Sequence, residues 1–300
     1  MSFASQEVTL ATPTGTLAGT LLAPAAPARV PVVFIHPGSG PTDRDGNSRL
    51  LSGKNNSLRL LAEALAAHGI ASLRIDKRGI GASAAAMTAE ADLRFDTYID
   101  DALAWLRWLK ADARFTRVIV VGHSEGALIG AAAAGRLPAD AYVSLAGAGA
   151  PASTTLRHQL TAKLPPALVD ENERILTSLE HGTTVATVSA PLWSLYRPSV
   201  QPYLISWFRY DPAAVVHALT MPVLLANGST DVQIDTTEFA ALTRARPDAT
   251  VLWVPGMNHV LKLVTGDAAA QLPSYSDPAL PVAPALIDGV VGFILAPAHP

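Results

Sequence analysis

The sequence predicts an α/β fold: a mostly parallel central sheet, helices on both of its faces, and one helical insertion. Three observations predict it. Short, wholly apolar runs such as Val32-Val33-Phe34-Ile35 and Val118-Ile119-Val120-Val121 have the composition of strands buried on both faces. They alternate with amphipathic helical stretches, and that alternation builds a parallel sheet through helical crossovers. Polar, glycine-rich segments follow the apolar runs, at the strand ends where α/β proteins place their ligands.

Composition narrows the function classes. The 300 residues are 49% hydrophobic, enough for a sizeable core, and 16% charged, too few for a disordered chain. A formal net charge of -3 without a basic block gives no footprint for nucleic acid. The chain has no cysteine, which excludes a cysteine nucleophile, thiolate metal sites and disulfides. Residues 1–7 lack the basic-then-apolar pattern of a secretory leader, and no run approaches the roughly 20 apolar residues of a membrane span. The expectation is a cytoplasmic protein, monomeric or homo-oligomeric, acting on a small neutral or weakly charged molecule.

Taken in order, residues 6–22 alternate around Pro13-Thr14-Gly15 as an antiparallel hairpin. The strand at 32–35 runs into the polar loop from His36 to Asn47. Asn56 or Ser57 can cap a helix with Leu58, Leu61, Ala62 and Leu65 on its apolar face, and Gly69 ends it. A strand at 71–75 leads to Asp76-Lys77-Arg78-Gly79-Ile80-Gly81-Ala82-Ser83. The following helix aligns Ile99, Ala102, Leu103, Leu106 and Leu109. Next come the strand at 118–121, a helix at 127–134 and a strand at 142–145. The alternation stops near Gly149. Residues 150–217 are predicted as a helical cap rich in aromatics, inserted into a core formed by 1–149 and 218–300. Those aromatics either build a core of the cap's own or line a substrate pocket, and Trp193, Tyr203 and Trp207 are the pocket candidates. Strands at 222–226 and 250–254, a helix at 236–245 and a last amphipathic helix through Leu286, Ile287, Val290, Val291 and Ile294 complete the order.

The chemistry centres on Gly122-His123-Ser124-Glu125-Gly126. A strand before Gly-x-Ser-x-Gly and a helix after it force the serine into a sharp turn that lifts its hydroxyl above the sheet. The backbone N–H of Glu125, in the first helical turn, then faces the position of a developing oxyanion. Ser124, Asp231 and His259 each follow a predicted strand, so a parallel sheet brings them to one edge. A serine hydroxyl needs a base, which His259 can be, and Asp231 can hold the imidazole tautomer. Asp235 is the alternative acid, although the start of a helix explains it fully. His36 and His123 suit structural places near the turn. Arg44 or Lys54 could meet a substrate carboxylate; equally, Asp43, Arg44, Asp45, Asp76, Lys77 and Arg78 could tie their two loops together. The eight histidines have no zinc spacing, and Gly38-x-Gly40 lacks the rest of a dinucleotide fingerprint, so neither a metal nor another cofactor is expected.

Gly122-His123-Ser124-Glu125-Gly126, the Asp76-x-Arg78-Gly79-x-Gly81-x-Ser83 turn, Gly228-x-x-Asp231 and Gly256-x-x-His259 together resemble the α/β-hydrolases over nearly the whole chain. More narrowly, residues 38–47, 197–203 and the tail from His259 through Pro281 are similar to a bacterial group of serine esterases related to acyl-peptidases. The resemblance implies a second oxyanion donor in the loop after the strand at 32–35. Proline has no N–H, so Pro37 is excluded there; Ser39 is the expected donor, with Gly38 its neighbour in the substrate site. The expected activity is hydrolysis of carboxylic esters with short to medium or aromatic acyl groups through an acyl-enzyme. The alternatives are amide hydrolysis by an aminopeptidase or acyl-peptidase, carbon–carbon or lactone hydrolysis, and a non-catalytic binding protein on the same fold.

Overall fold

Alternate residues of the central strands point to opposite faces, and that alternation fixes the layers of the molecule. The computed structural model describes residues 1–161 and 164–297; residues 162–163 of the expected cap and 298–300 of the expected core lie outside them. In β3 (Val30–His36) and β5 (Phe115–His123), Val32, Phe34, Val118 and Val120 join one hydrophobic layer, while Val33, Ile35, Ile119 and Val121 join the other. The first layer packs α2 (Phe95–Lys110) and α3 (Glu125–Arg136) onto the sheet. The second packs α1 (Ser57–Ala67) and α11 (Pro284–Leu295).

The hairpin β1 (Phe3–Thr12) and β2 (Gly15–Pro24), together with β4 (Ala71–Ile75), β6 (Ala141–Leu145), β7 (Val223–Gly228) and β8 (Thr250–Val254), completes the sheet. Its eight strands run in the order β1-β2-β4-β3-β5-β6-β7-β8. Only the β1/β2 and β2/β4 pairs are antiparallel; every pair from β4 to β8 is parallel. The ends of β3, β5, β7 and β8 therefore share one edge, and the loops that follow them carry Ser39, Ser124, Asp231 and His259. This is an α/β-hydrolase fold.

Between β6 and β7 the chain forms α4 (Ala152–Thr161), α5 (Pro166–Glu180), α6 (Trp193–Tyr196), α7 (Gln201–Trp207) and α8 (Pro212–His217). Their aromatics do not make a separate core. Tyr203, Trp207 and Tyr210 close around Phe95 of α2, with the Trp207 ring stacked on Phe95 at 5.7 Å. Ile175, Leu176, Leu179 and Tyr196 belong to the same apolar layer as α2 and α3. Aromatic rings have more surface to bury than these short helices can hide among themselves, so they use the larger neighbouring face. The start of α1 also differs from expectation. Asn56 sits in the left-handed region (φ 52°) and its side chain does not cap the helix; it accepts a hydrogen bond from the Asn47 amide, which in turn accepts from the Asn55 and Asn56 N–H groups.

α9 (Thr236–Ala245) precedes β8, and α10 (Ala268–Gln271) follows it. Among the described residues no helix is long and apolar enough to cross a membrane.

Candidate active site

Ser124 adopts φ 55° and ψ -123°, a strained conformation for a side-chain-bearing residue. Its surroundings hold it there. The Ser124 N–H donates to Leu145 O of β6 at 2.9 Å, and the flanking glycines allow backbones to meet at distances no Cβ would tolerate. A Cβ on Gly122 would stand 2.2 Å from Gly126 O, and one on Gly126 would stand 2.4 Å from His36 O. The turn therefore presents Ser124, which is half-buried, at the edge of a cavity of about 80 Å³.

His259 and Asp231 follow β8 and β7 at the same end of the sheet. His259 Nδ1 lies 2.9 Å from Asp231 Oδ2, and both side chains are almost fully buried. A carboxylate can only accept here, so Nδ1 carries the proton and Nε2 is left as a base. Asp231 Oδ1 accepts from the N–H groups of Gln233 (2.8 Å) and Ile234 (3.0 Å). Burial alone would raise the Asp231 carboxyl, but the charge and hydrogen bond of His259 and these two N–H groups together hold it below the usual carboxylate range. Asp235, the alternative acid, is spent elsewhere: it caps α9 by accepting from Thr237 and Glu238 N–H.

His123 and His36 have structural places near the turn. His123 donates from Nε2 to the His259 carbonyl at 2.7 Å and so ties the serine turn to the histidine loop, while His36 bonds the Pro37 carbonyl at 3.0 Å. Burial, reinforced by the positive charge of Lys77, lowers His36 to about 3; burial, reinforced by His259, lowers His123 to about 4. Both are neutral in the native state at pH 7. In the unfolded chain they bind protons below pH 6.5 or so, and the native state does not follow, so acid costs stability. These two groups are expected to leave the unfolding free energy, measured with urea, nearly level above pH 7 and to lower it by roughly 4 kcal/mol between pH 7 and pH 5. A level profile down to pH 5 would mean that these two imidazoles are not held neutral.

Several expected residues meet at the cavity and others do not. Ser39, Ser124, Glu125 and Trp207 line it, together with Gln159 and Thr155 of α4 and Gln233 and Ile234 of the acid loop. Gly38 lies just behind, where a Cβ would touch Ser124 Cβ at 3.2 Å. Tyr203 does not line it: its ring is buried beside Phe95 and its hydroxyl donates to Glu125 Oε1 at 2.5 Å. Trp193 does not line it either, and is half-exposed on α6. Arg44 does not line it; its guanidinium donates to Glu7 and Thr20 from Nη1 and to Asp76 from Nη2. Lys77 does not bridge the two loops by pairing with their acids; it crosses to Glu125 at 3.1 Å. The links from α4 to the sheet edge had no signal in the sequence: Gln159 donates to Gln233 O at 2.7 Å, and Thr155 donates to Glu238 Oε1 at 2.6 Å. Among the described residues no group of three or more histidine and acidic side chains is placed to hold a metal ion.

A model of the serine aminopeptidase S33 family matches residues 53–263. Esterase EstD of Thermotoga maritima is 27% identical over 265 residues, 87% of this chain. The chain spans about 60% of the length of that curated relative. Among solved structures, Est1E from Butyrivibrio proteoclasticus aligns with a TM-score of 0.62 at 17% identity, covering 96% of this chain and 97% of its own. The Pyrococcus furiosus esterase Pf2001 aligns at 0.58 with 20% identity, covering 86% and 84%. At these identities the structural likeness speaks to the fold.

Proposed function

Because the chain belongs to the serine aminopeptidase S33 family, we propose that it is a serine hydrolase, and that within this family it cleaves carboxylic esters of short to medium or aromatic acids. The observation that carries the ester reading is the charge of the cavity wall. Glu125 is the one charged residue among the described residues that line it, and both of its carboxylate oxygens are occupied, by Lys77 and by Tyr203. An aminopeptidase must hold the free α-ammonium of its substrate, and a buried ammonium without a carboxylate is strongly disfavoured. A neutral acyl chain meets no such cost against Leu128, Leu156, Ile234 and Trp207. The modest cavity suits a short acyl group, and the helical segment 150–217 acts as a cap that supplies one wall.

In the proposed reaction His259 Nε2 takes the Ser124 proton as Oγ attacks the acyl carbon. The carbonyl oxygen becomes an oxyanion held by the N–H groups of Glu125 and Ser39. His259 then gives its proton to the departing alcohol, leaving an acyl group on Ser124. Water enters, loses a proton to His259, and releases the acid while serine regains its proton. Asp231 stabilises the imidazolium at each stage and stays ionised.

A panel of p-nitrophenyl esters from acetate to dodecanoate, run beside free aminoacyl p-nitroanilides, tests the substrate class. Esters are expected to win by about 100-fold or more in kcat/KM, with an optimum at a short or medium chain. Equal or faster turnover of the free aminoacyl anilides would replace the ester reading with an aminopeptidase.

A further inference from the structure

The hydrolase mechanism leaves one buried charged group beside the cavity without a task. Lys77, whose side chain is 1% exposed, donates from Nζ to Gly38 O at 2.6 Å and to Glu125 Oε2 at 3.1 Å, and lies over the Tyr98 ring at 5.3 Å. The Glu125 side chain is 2% exposed, and its other oxygen accepts from Tyr203 of α7. A buried ion pair is a poor source of stability, because desolvating both ions offsets most of their attraction. Its location is more informative. Lys77 follows β4, Gly38 follows β3 and Glu125 opens α3, so three separate segments converge on one ammonium.

Building on the serine-hydrolase reading, we propose that Lys77, Glu125 and Tyr203 are positioning residues that set the two oxyanion donors relative to each other. A trans peptide is planar, with its C=O and N–H pointing in opposite directions. Lys77, which does not line the cavity, holds the Gly38 carbonyl, so the N–H of the same peptide unit, that of Ser39, is turned away from the ammonium and, in this proposal, toward the cavity that Ser39 and Ser124 line. The second donor is the N–H of Glu125 itself. Its carboxylate is bound by the same ammonium, so one ion pair fixes the separation of the two donating peptides. Tyr203 occupies the remaining oxygen and keeps the carboxylate aimed at Lys77. Burial first, then the Glu125 charge, pushes the Tyr203 hydroxyl far above its ordinary ionisation range, so it remains a donor at any working pH. Through it, α7 is coupled to the oxyanion site.

The test compares the wild type with Lys77→Met/Glu125→Gln, which removes both charges together, and with Tyr203→Phe, which removes one oxygen. Each is assayed on the best p-nitrophenyl ester. Each is also titrated with a trifluoromethyl ketone carrying the same acyl chain, which adds Ser124 and forms an oxyanion, and with the matching methyl ketone, which binds as a ground state. For the double variant, kcat and trifluoromethyl ketone affinity are both expected to fall about 100-fold, with KM and methyl ketone affinity within about threefold of wild type. Tyr203→Phe is expected to lose about fivefold in the same two quantities, and it decides the matter should the double variant fail to fold. Folded variants that keep kcat and trifluoromethyl ketone affinity and only melt at lower temperature would overturn the proposal. An inactive wild type would instead defeat the hydrolase reading, and it would be seen before any variant is made.

Discussion

Replacing Ser124 by alanine is expected to lower kcat on the best ester by about 10⁴-fold or more while leaving the fold intact. The size follows from the role: without Oγ no acyl-enzyme forms, and only the oxyanion donors and the binding of substrate remain. Ser124→Gly separates this loss from any damage to the fold. At φ 55° and ψ -123° glycine has no Cβ to strain, so the glycine variant is expected to be as inactive as alanine yet more stable than wild type by about 1 kcal/mol. Activity assays and urea unfolding on the three proteins check both parts. A Ser124→Ala protein with more than a tenth of wild-type kcat would remove serine from the reaction.

The second large effect belongs to Asp231. Asp231→Asn keeps the shape of the side chain but can turn an amide N–H toward His259 Nδ1, which then favours the tautomer with its proton on Nε2. That imidazole cannot accept the serine proton, and kcat is expected to fall about 10⁴-fold. Asp235→Asn is the control. Asparagine caps a helix as well as aspartate does, so this variant is expected to keep kcat within about threefold of wild type. If Asp235→Asn were the inactive one, the acid would have been assigned to the wrong loop.

The contrast between these two aspartates shows what the sequence makes legible. Strand ends are visible because buried strands are short apolar runs, and a parallel sheet sends all their ends to one edge. Ser124, Asp231 and His259 could therefore be grouped by the three strand ends that they follow. The hairpin, the strand and helix alternation and the apolar faces of α1, α2 and α11 were legible for the same reason. Lys77 was harder. It stands among charged neighbours in Asp76-Lys77-Arg78, and nothing local says that it leaves them for Glu125, 48 positions on. The aromatics of α6 and α7 were equally ambiguous: spacing identifies an apolar ring but not the surface it covers, and Phe95, the residue that gathers Tyr203, Trp207 and Tyr210, lies more than a hundred positions earlier. Polar side chains that bond to backbone across the fold, such as Gln159 on Gln233 O, carry no periodic signal at all.

The central claim is that Ser124 is a nucleophile activated by His259, and covalent labelling tests it most directly. The purified protein is treated with a fluorophosphonate and the adduct is located by peptide mass spectrometry. The account predicts a single adduct on Ser124, absent from Ser124→Ala and formed far more slowly in His259→Ala. A folded wild-type protein that takes up no label, or that carries it on another residue, would contradict it.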